Sequence, residues 1–157
     1  MITVVATVLG GVCIYVIGQI VLKFLIEPIS ELKKTIGGIA DFLVYHADRY
    51  ANVEPISQAE GENSVDPKES RLAETSRAAR TLASELVVRV HMIPAYRRLS
   101  RVCIVPGLER IERAYKALLY LSNATNSQGD SIRNYDKSRE VASALGIEME
   151  FGRSESK

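Results

Sequence analysis

From Ile2 to Leu22 the chain carries no charged side chain, and Val, Ile, Leu, Gly and Ala make up most of the stretch. As a helix, a run of about 20 residues reaches roughly 30 Å, the thickness of a bilayer's hydrocarbon core. Lys23 then interrupts the run, but its long stem can reach toward headgroups, and Phe24, Leu25 and Ile26 extend the apolar surface. A buried core helix rarely lacks charge for so long. A cleaved signal peptide fits poorly, because no Lys or Arg precedes the run, the run is too long, and no small-x-small site follows it. The expectation is a single transmembrane helix over residues 1–26.

Orientation follows from the basic residues. Met1 to Thr3 have none, whereas Lys23, Lys33 and Lys34 follow the run. The positive-inside rule then puts the N-terminus outside and the remaining domain in the cytoplasm, at an inner or plasma membrane. Cys103 is the only thiol outside the run, so no internal disulfide framework can form there, which agrees with a reducing compartment. The sequon Asn123-Ala124-Thr125 would matter only if the domain faced outward. Within the span, Thr3, Thr7, Gly11 and Gly18 share a narrow arc of one helical face, with Gln19 beside them. Small residues let a second helix approach closely, so this face is a candidate for self-association or for pairing with another subunit.

Beyond the span the spacing is helical throughout. Ile29, Leu32, Ile36, Ile39, Leu43, His46 and Tyr50 alternate by three and four, and Leu22 and Leu25 continue that seam backward. Pro28 either kinks one long helix or opens a second, and Gly37-Gly38 points to a close crossing or a bend. Residues 53–66 form an acidic loop ending in an Asp66-Pro67 helix start with Glu69 at capping-box spacing. Leu72, Ser76, Ala79, Ala83, Leu86, Val90 and Ile93 mark the next stripe. Tyr96, Leu99, Val102 and Cys103 suggest a short helix after Pro94; Leu108, Ile111, Tyr115, Leu118 and Ser122 mark another, with Glu109–Arg113 and Glu112–Lys116 in supporting order. Ile132, Tyr135, Ala142 and Leu145 mark the last, closed by Gly146.

No alternating strand pattern is present. The fold class is therefore all-α: a transmembrane helix followed by a cytoplasmic bundle of about four helices over residues 27–147. Its helices fall at 29–52, 67–92, 95–104, 107–123 and 130–145, and a flexible tail covers 148–157.

Chemistry is sparsely signalled. The 157 residues hold 20 Lys and Arg against 19 Asp and Glu, a net charge of +1, which disfavours nucleic acid as a partner. Aromatics are 6% with no Trp, which argues weakly against an aromatic-rich ligand box. His46, Asp48, Tyr50 and His91 are the residues on which a polar, metal or catalytic site would rest. His46 lies on the apolar seam, however, so a buried, hydrogen-bonded imidazole is the simpler reading, and the Glu-x-x-His spacing of a di-iron bundle is absent. Cys103, among Val102, Ile104 and Val105, reads as an inert buried thiol. No nucleophile elbow, phosphate loop or zinc-protease motif occurs, so no catalytic residue, metal or cofactor is assigned.

Arg89, Arg97, Arg98 and Arg101, with His91, fall in a stretch without acids from Leu86 to Leu108. They could meet anionic headgroups or the acidic loop, or simply form a solvated face. The expected function is a membrane-anchored interaction or scaffold protein, or an accessory subunit of a membrane complex. The alternative is a membrane-bound enzyme or metal or cofactor carrier with its site around His46. The expected partners are the lipid bilayer and a protein, which could be a second copy.

Overall fold

The computed structural model describes residues 2–47, 67–124 and 131–148, and every element among them is helical. Helix α1 (Ile2–Val21) passes through a π-helical turn (Leu22–Ile26) into α2 (Glu27–Tyr45). Then come α3 (Pro67–Met92), the short α4 (Tyr96–Arg101), α5 (Leu108–Ala124) and α6 (Ser131–Leu145). The acidic loop, the Asp66 cap, the second helix beyond residue 47, the turn at 125–129 and the tail after 148 lie outside the described residues.

Pro28 has no amide hydrogen, and in a regular α-helix its ring would strike the carbonyl of Phe24. The chain absorbs this by widening the preceding turn. The Glu27 N–H donates to the carbonyl of Leu22, five residues back. Pro28 then falls in the first turn of α2, where a missing amide costs little. Val21, Ile26 and Glu27 all keep right-handed helical torsions. The result is one uninterrupted helix from Thr3 to Tyr45, long and apolar enough to cross a membrane, with none of its most apolar window buried.

Packing begins beyond the π turn. Leu32, Thr35, Ile39, Phe42 and Leu43 are buried, and Ile29 and Ile36 are partly so. Of the expected backward extension of the seam, Leu22 is exposed and Leu25 half-buried. A π turn holds an extra residue and shifts the helical phase. Helix α3 lies antiparallel against α2, with Thr75 near His46 and Arg89 near Glu31. Its stripe matches the sequence reading: Ser76, Ala79, Ala83, Leu86, Val90 and Ile93 are buried. Gly38 faces this helix, where an added Cβ would lie 3.6 Å from Leu82 Cδ2, and α2 runs through the glycine pair without a break.

Helix α5 packs on α3, and α6 packs on α5. Ile111, Ala114, Ala117, Leu118, Leu121 and Ser122 fill the first of these contacts and the core beside it. In α6 the buried stripe is Asn134, Ser138, Val141, Ala142 and Leu145. Ile132 and Tyr135, expected on the core face, are exposed, Ile132 by 72%, and Leu108 is exposed as well. Polar residues at the head of the α6 stripe conceal its phase from a hydrophobic reading.

The end of α6 is closed by two devices. Gly146 takes the left-handed conformation at φ +72°. The Ile147 N–H then reaches the Ala142 carbonyl at 2.9 Å, and the Gly146 N–H reaches Ser143 at 3.3 Å. This is the Schellman arrangement that satisfies otherwise orphaned carbonyls. From α5, Arg110 adds Nε to the Ala144 carbonyl at 2.7 Å and Nη2 to Ser143 at 3.3 Å. A side chain at position 146 would be strained by about 1–2 kcal/mol in the left-handed region, and its Cβ would press on Arg110 Nη2 at 3.3 Å. Gly146→Ala is expected to lower the unfolding free energy by about that amount, read by denaturant titration of the full chain in mild detergent. An unchanged or raised midpoint would contradict this account of the cap.

Candidate functional site

Of the sequence-selected polar residues, His46 and His91 do not come together. His46 caps the end of α2 and is half-buried, not fully buried as the seam suggested. Its ring lies 4.9 Å from those of Phe42 and Tyr45. Nδ1 is 3.4 Å from Thr75 Oγ1, whose hydroxyl donates to the Arg71 carbonyl at 2.9 Å, so the imidazole Nδ1–H is the donor in the longer contact. His91 stands exposed near the far end of α3, its Nδ1–H on the Val87 carbonyl of its own helix at 2.8 Å. Sixteen residues of helix separate Thr75 from His91, about 24 Å along the axis. Asp48 and Tyr50 lie outside the described residues. Among the described residues no cluster of three His, Cys, Asp or Glu is placed to hold a metal.

The other end of the body, from which α1 emerges, is more distinctive. The end of α3, all of α4 and the start of α5 converge there. Ile93 closes α3, and Ala95 turns the chain in the left-handed conformation at φ 55°. Buried Tyr96 then anchors α4, its hydroxyl donating to the Pro106 carbonyl at 2.7 Å. That bond pins the loop returning from α4 to α5. Cys103 is also left-handed, at φ 58°, just after α4 ends.

Two readings of the sequence change here. Helix α4 stops at Arg101 and does not reach 104, and Cys103 is exposed, not buried. The left-handed turn throws Val102 and Ile104 outward as well, leaving Val105 as the one buried residue of the apolar run.

Around this latch the surface mixes charge with apolar side chains. Arg97, Arg98 and Arg101 are exposed, and so are Met92 (56%), Val102 (64%) and Ile104 (49%). Arg89 is set apart from the other arginines by Glu31, whose Oε2 lies 3.5 Å from its Nη2. The Glu31 carboxyl is held below its ordinary range by the Lys34 hydrogen bond and charge first, and by Arg89 to a smaller extent. An apolar cleft of about 230 Å³ opens beside the patch, between Ile29, Leu32 and Ile36 on α2 and Ile104, Val105 and Leu145 opposite.

The small-residue face of α1 is open. Cβ atoms added at Gly11 and Gly18 would meet nothing within 4 Å, and Gln19 is exposed. Thr7 Oγ1 donates to the Thr3 carbonyl at 2.9 Å, so this hydroxyl is satisfied within its own helix.

The sequence reading missed a polar latch between α3 and α5. Ser76 Oγ donates to the Ser122 carbonyl at 2.7 Å, Arg80 Nε to Ser122 Oγ at 3.2 Å and Arg80 Nη2 to Asn123 Oδ1 at 2.8 Å. Serines on the stripes at 76 and 122 were its only trace in the sequence. The side chain of the candidate sequon thus takes part in an internal contact.

No family model, curated protein or solved structure matches this chain.

Burial pushes the Tyr96 phenol up to about 12 from its ordinary 10. The folded chain therefore favours the neutral phenol. Its stabilising contribution is complete below pH 10 and declines as pH rises from there toward about 12. Tyr96→Phe is expected to cost about 0.5–1.5 kcal/mol at neutral pH through the lost hydrogen bond, and to lose part of the alkaline decline seen in the parent. Parallel denaturation curves across the alkaline range measure both effects, and identical pH profiles would refute the latch.

Proposed function

We propose that the chain is a single-pass, membrane-anchored helical interaction or scaffold protein, acting through helix–helix association or as an accessory subunit of a membrane complex. One observation carries this reading: α1 is apolar along its length, and no part of the described chain covers it. Leaving a Val, Leu or Ile side chain in water instead of burying it costs about 1.5–3 kcal/mol. A helix with this many uncovered apolar side chains needs lipid or a partner around it. Its 20 residues suit a hydrocarbon core roughly 30 Å thick.

In this reading the residues from 27 to 147 form a bundle of about four helices on the cytoplasmic side, with the N-terminus outside, at an inner or plasma membrane. Lys23, Lys33 and Lys34 supply the positive-inside signal from the sequence. The fold supports the same orientation by carrying Arg97, Arg98 and Arg101 to the end of the body nearest the span. Thr7, Gly11, Gly18 and Gln19 form the face along which a second helix would pack. The alternative is a bundle-core enzyme or metal or cofactor carrier around His46; His91 is about 24 Å along α3 from the Thr75 that His46 meets, so such a site would have to be built without His91.

The chain is expected to stay in the bilayer fraction through alkaline carbonate washing; release into the supernatant would overturn the anchored reading. Gly11→Leu combined with Gly18→Leu is expected to reduce association several-fold in a membrane dimerisation assay of the span. Unchanged association would remove this face from the interaction and leave the anchor to act alone.

A further inference from the structure

We propose that the α4 end of the body is a second membrane contact: an anionic lipid surface binds Arg97, Arg98 and Arg101, while Met92, Val102 and Ile104 enter the headgroup layer. The inference rests on the membrane-spanning reading of α1 and adds to it a preference for lipid charge.

Position is the first argument. The Arg89–Glu31 contact marks the register of α3 against α2. Three residues further along antiparallel α3, Met92 comes level with Pro28. That is six residues past Leu22, or about 9 Å along the helix axis. The polar layer of a leaflet is roughly 5–8 Å deep. The α4 turn, which continues from Met92, therefore lies at headgroup depth or just outside it when α1 spans.

Charge is the second argument. Residues 86–108 contain no acid. Arg97, Arg98 and Arg101 make no ion pair among the described residues. Glu31 faces Arg89 from α2, so it draws on the arginine nearest α2 and not on the three along α4. Planar guanidinium groups pair readily with lipid phosphates and carboxylates.

Val102 and Ile104 are also placed outward. The left-handed Cys103 turn holds them exposed beside the arginines, while Tyr96 ties the same loop down through Pro106. Apolar residues at the edge of a basic surface are the composition of an interfacial anchor.

Cys103 is exposed between the two apolar residues and provides the probe. With Cys13 replaced by Ser, an environment-sensitive fluorophore on Cys103 of the full chain can be compared in neutral phosphatidylcholine vesicles and in vesicles containing phosphatidylserine. The expected result is a blue-shifted emission, quenched by spin-labelled lipid, in the anionic vesicles alone. Raising salt from about 0.1 M to about 1 M shortens the screening length from about 10 Å to about 3 Å and should reduce the quenching several-fold. Replacing all three arginines with Glu should abolish it, and replacing all three with Lys should retain most of it. Equal emission in both vesicle types, or Glu variants that quench like the parent, overturns the docking. Carbonate washing of the same vesicles separates the two readings. A chain that stays bound with a water-exposed Cys103 refutes only the docking, and a chain that washes off refutes the span and the docking with it.

Discussion

A proline one turn beyond an apolar helix would ordinarily let the two sides of the junction swing independently. Here the Glu27 amide reaches back to Leu22, the turn widens by one residue, and Pro28 enters α2 where its missing hydrogen is not needed. The packed helices are therefore carried on a rod continuous with α1. The placement of the α4 end near α1, and the separation of His46 from it, both follow from that continuity. Had the helix broken at Pro28, the arginines of α4 would have no fixed relation to the apolar segment.

The body is built on small side chains. Ala79, Ala83, Ala114, Ala117, Ala142 and Ala144 are all buried, and no Trp is available to fill space. Alanine brings helix axes close but buries little apolar area per residue. Directed polar contacts add to it at three places: Ser76 and Arg80 against Ser122 and Asn123, Arg110 on the last carbonyls of α6, and Tyr96 on Pro106. Each draws two helices, or a helix and a loop, together at one end; the first two bring donors to carbonyls in the last turns of α5 and α6, and the third holds a loop carbonyl.

The helical class and the apolar first segment were legible because both are periodic signals carried by many residues. The α3 stripe was read nearly residue for residue, since its small and large apolar positions recur without interruption. The second half of the α6 stripe, Ala142 and Leu145, was read correctly, but its first half was misread because Asn134 and Ser138 lead the buried face, so that Ile132 and Tyr135 mimic the phase of a core they do not join. Cys103 was misread for a different reason. A run of Val, Cys, Ile and Val looks buried to any hydropathy reading, and only the backbone reveals the left-handed residue that turns it outward. The arginine stretch was visible in the sequence, whereas its nearness to α1 depended on the antiparallel return of α3. Asp48, Tyr50 and the acidic loop fall outside the described residues, so their part in the pattern stays at the level of the sequence.

The widened turn at Leu22–Ile26 also fixes an azimuth. Each helical residue advances the side-chain direction by about 100°, so the one residue gained there resets which compass bearing the body occupies around the axis of α1. The face bearing Gly11 and Gly18 and the face on which α3 rests are thus related by an angle stored in five residues. Were those same five residues wound as regular α-helix instead, the whole body would rotate about the rod by roughly a quarter turn, and any neighbour gripping α1 would find a different flank beside it.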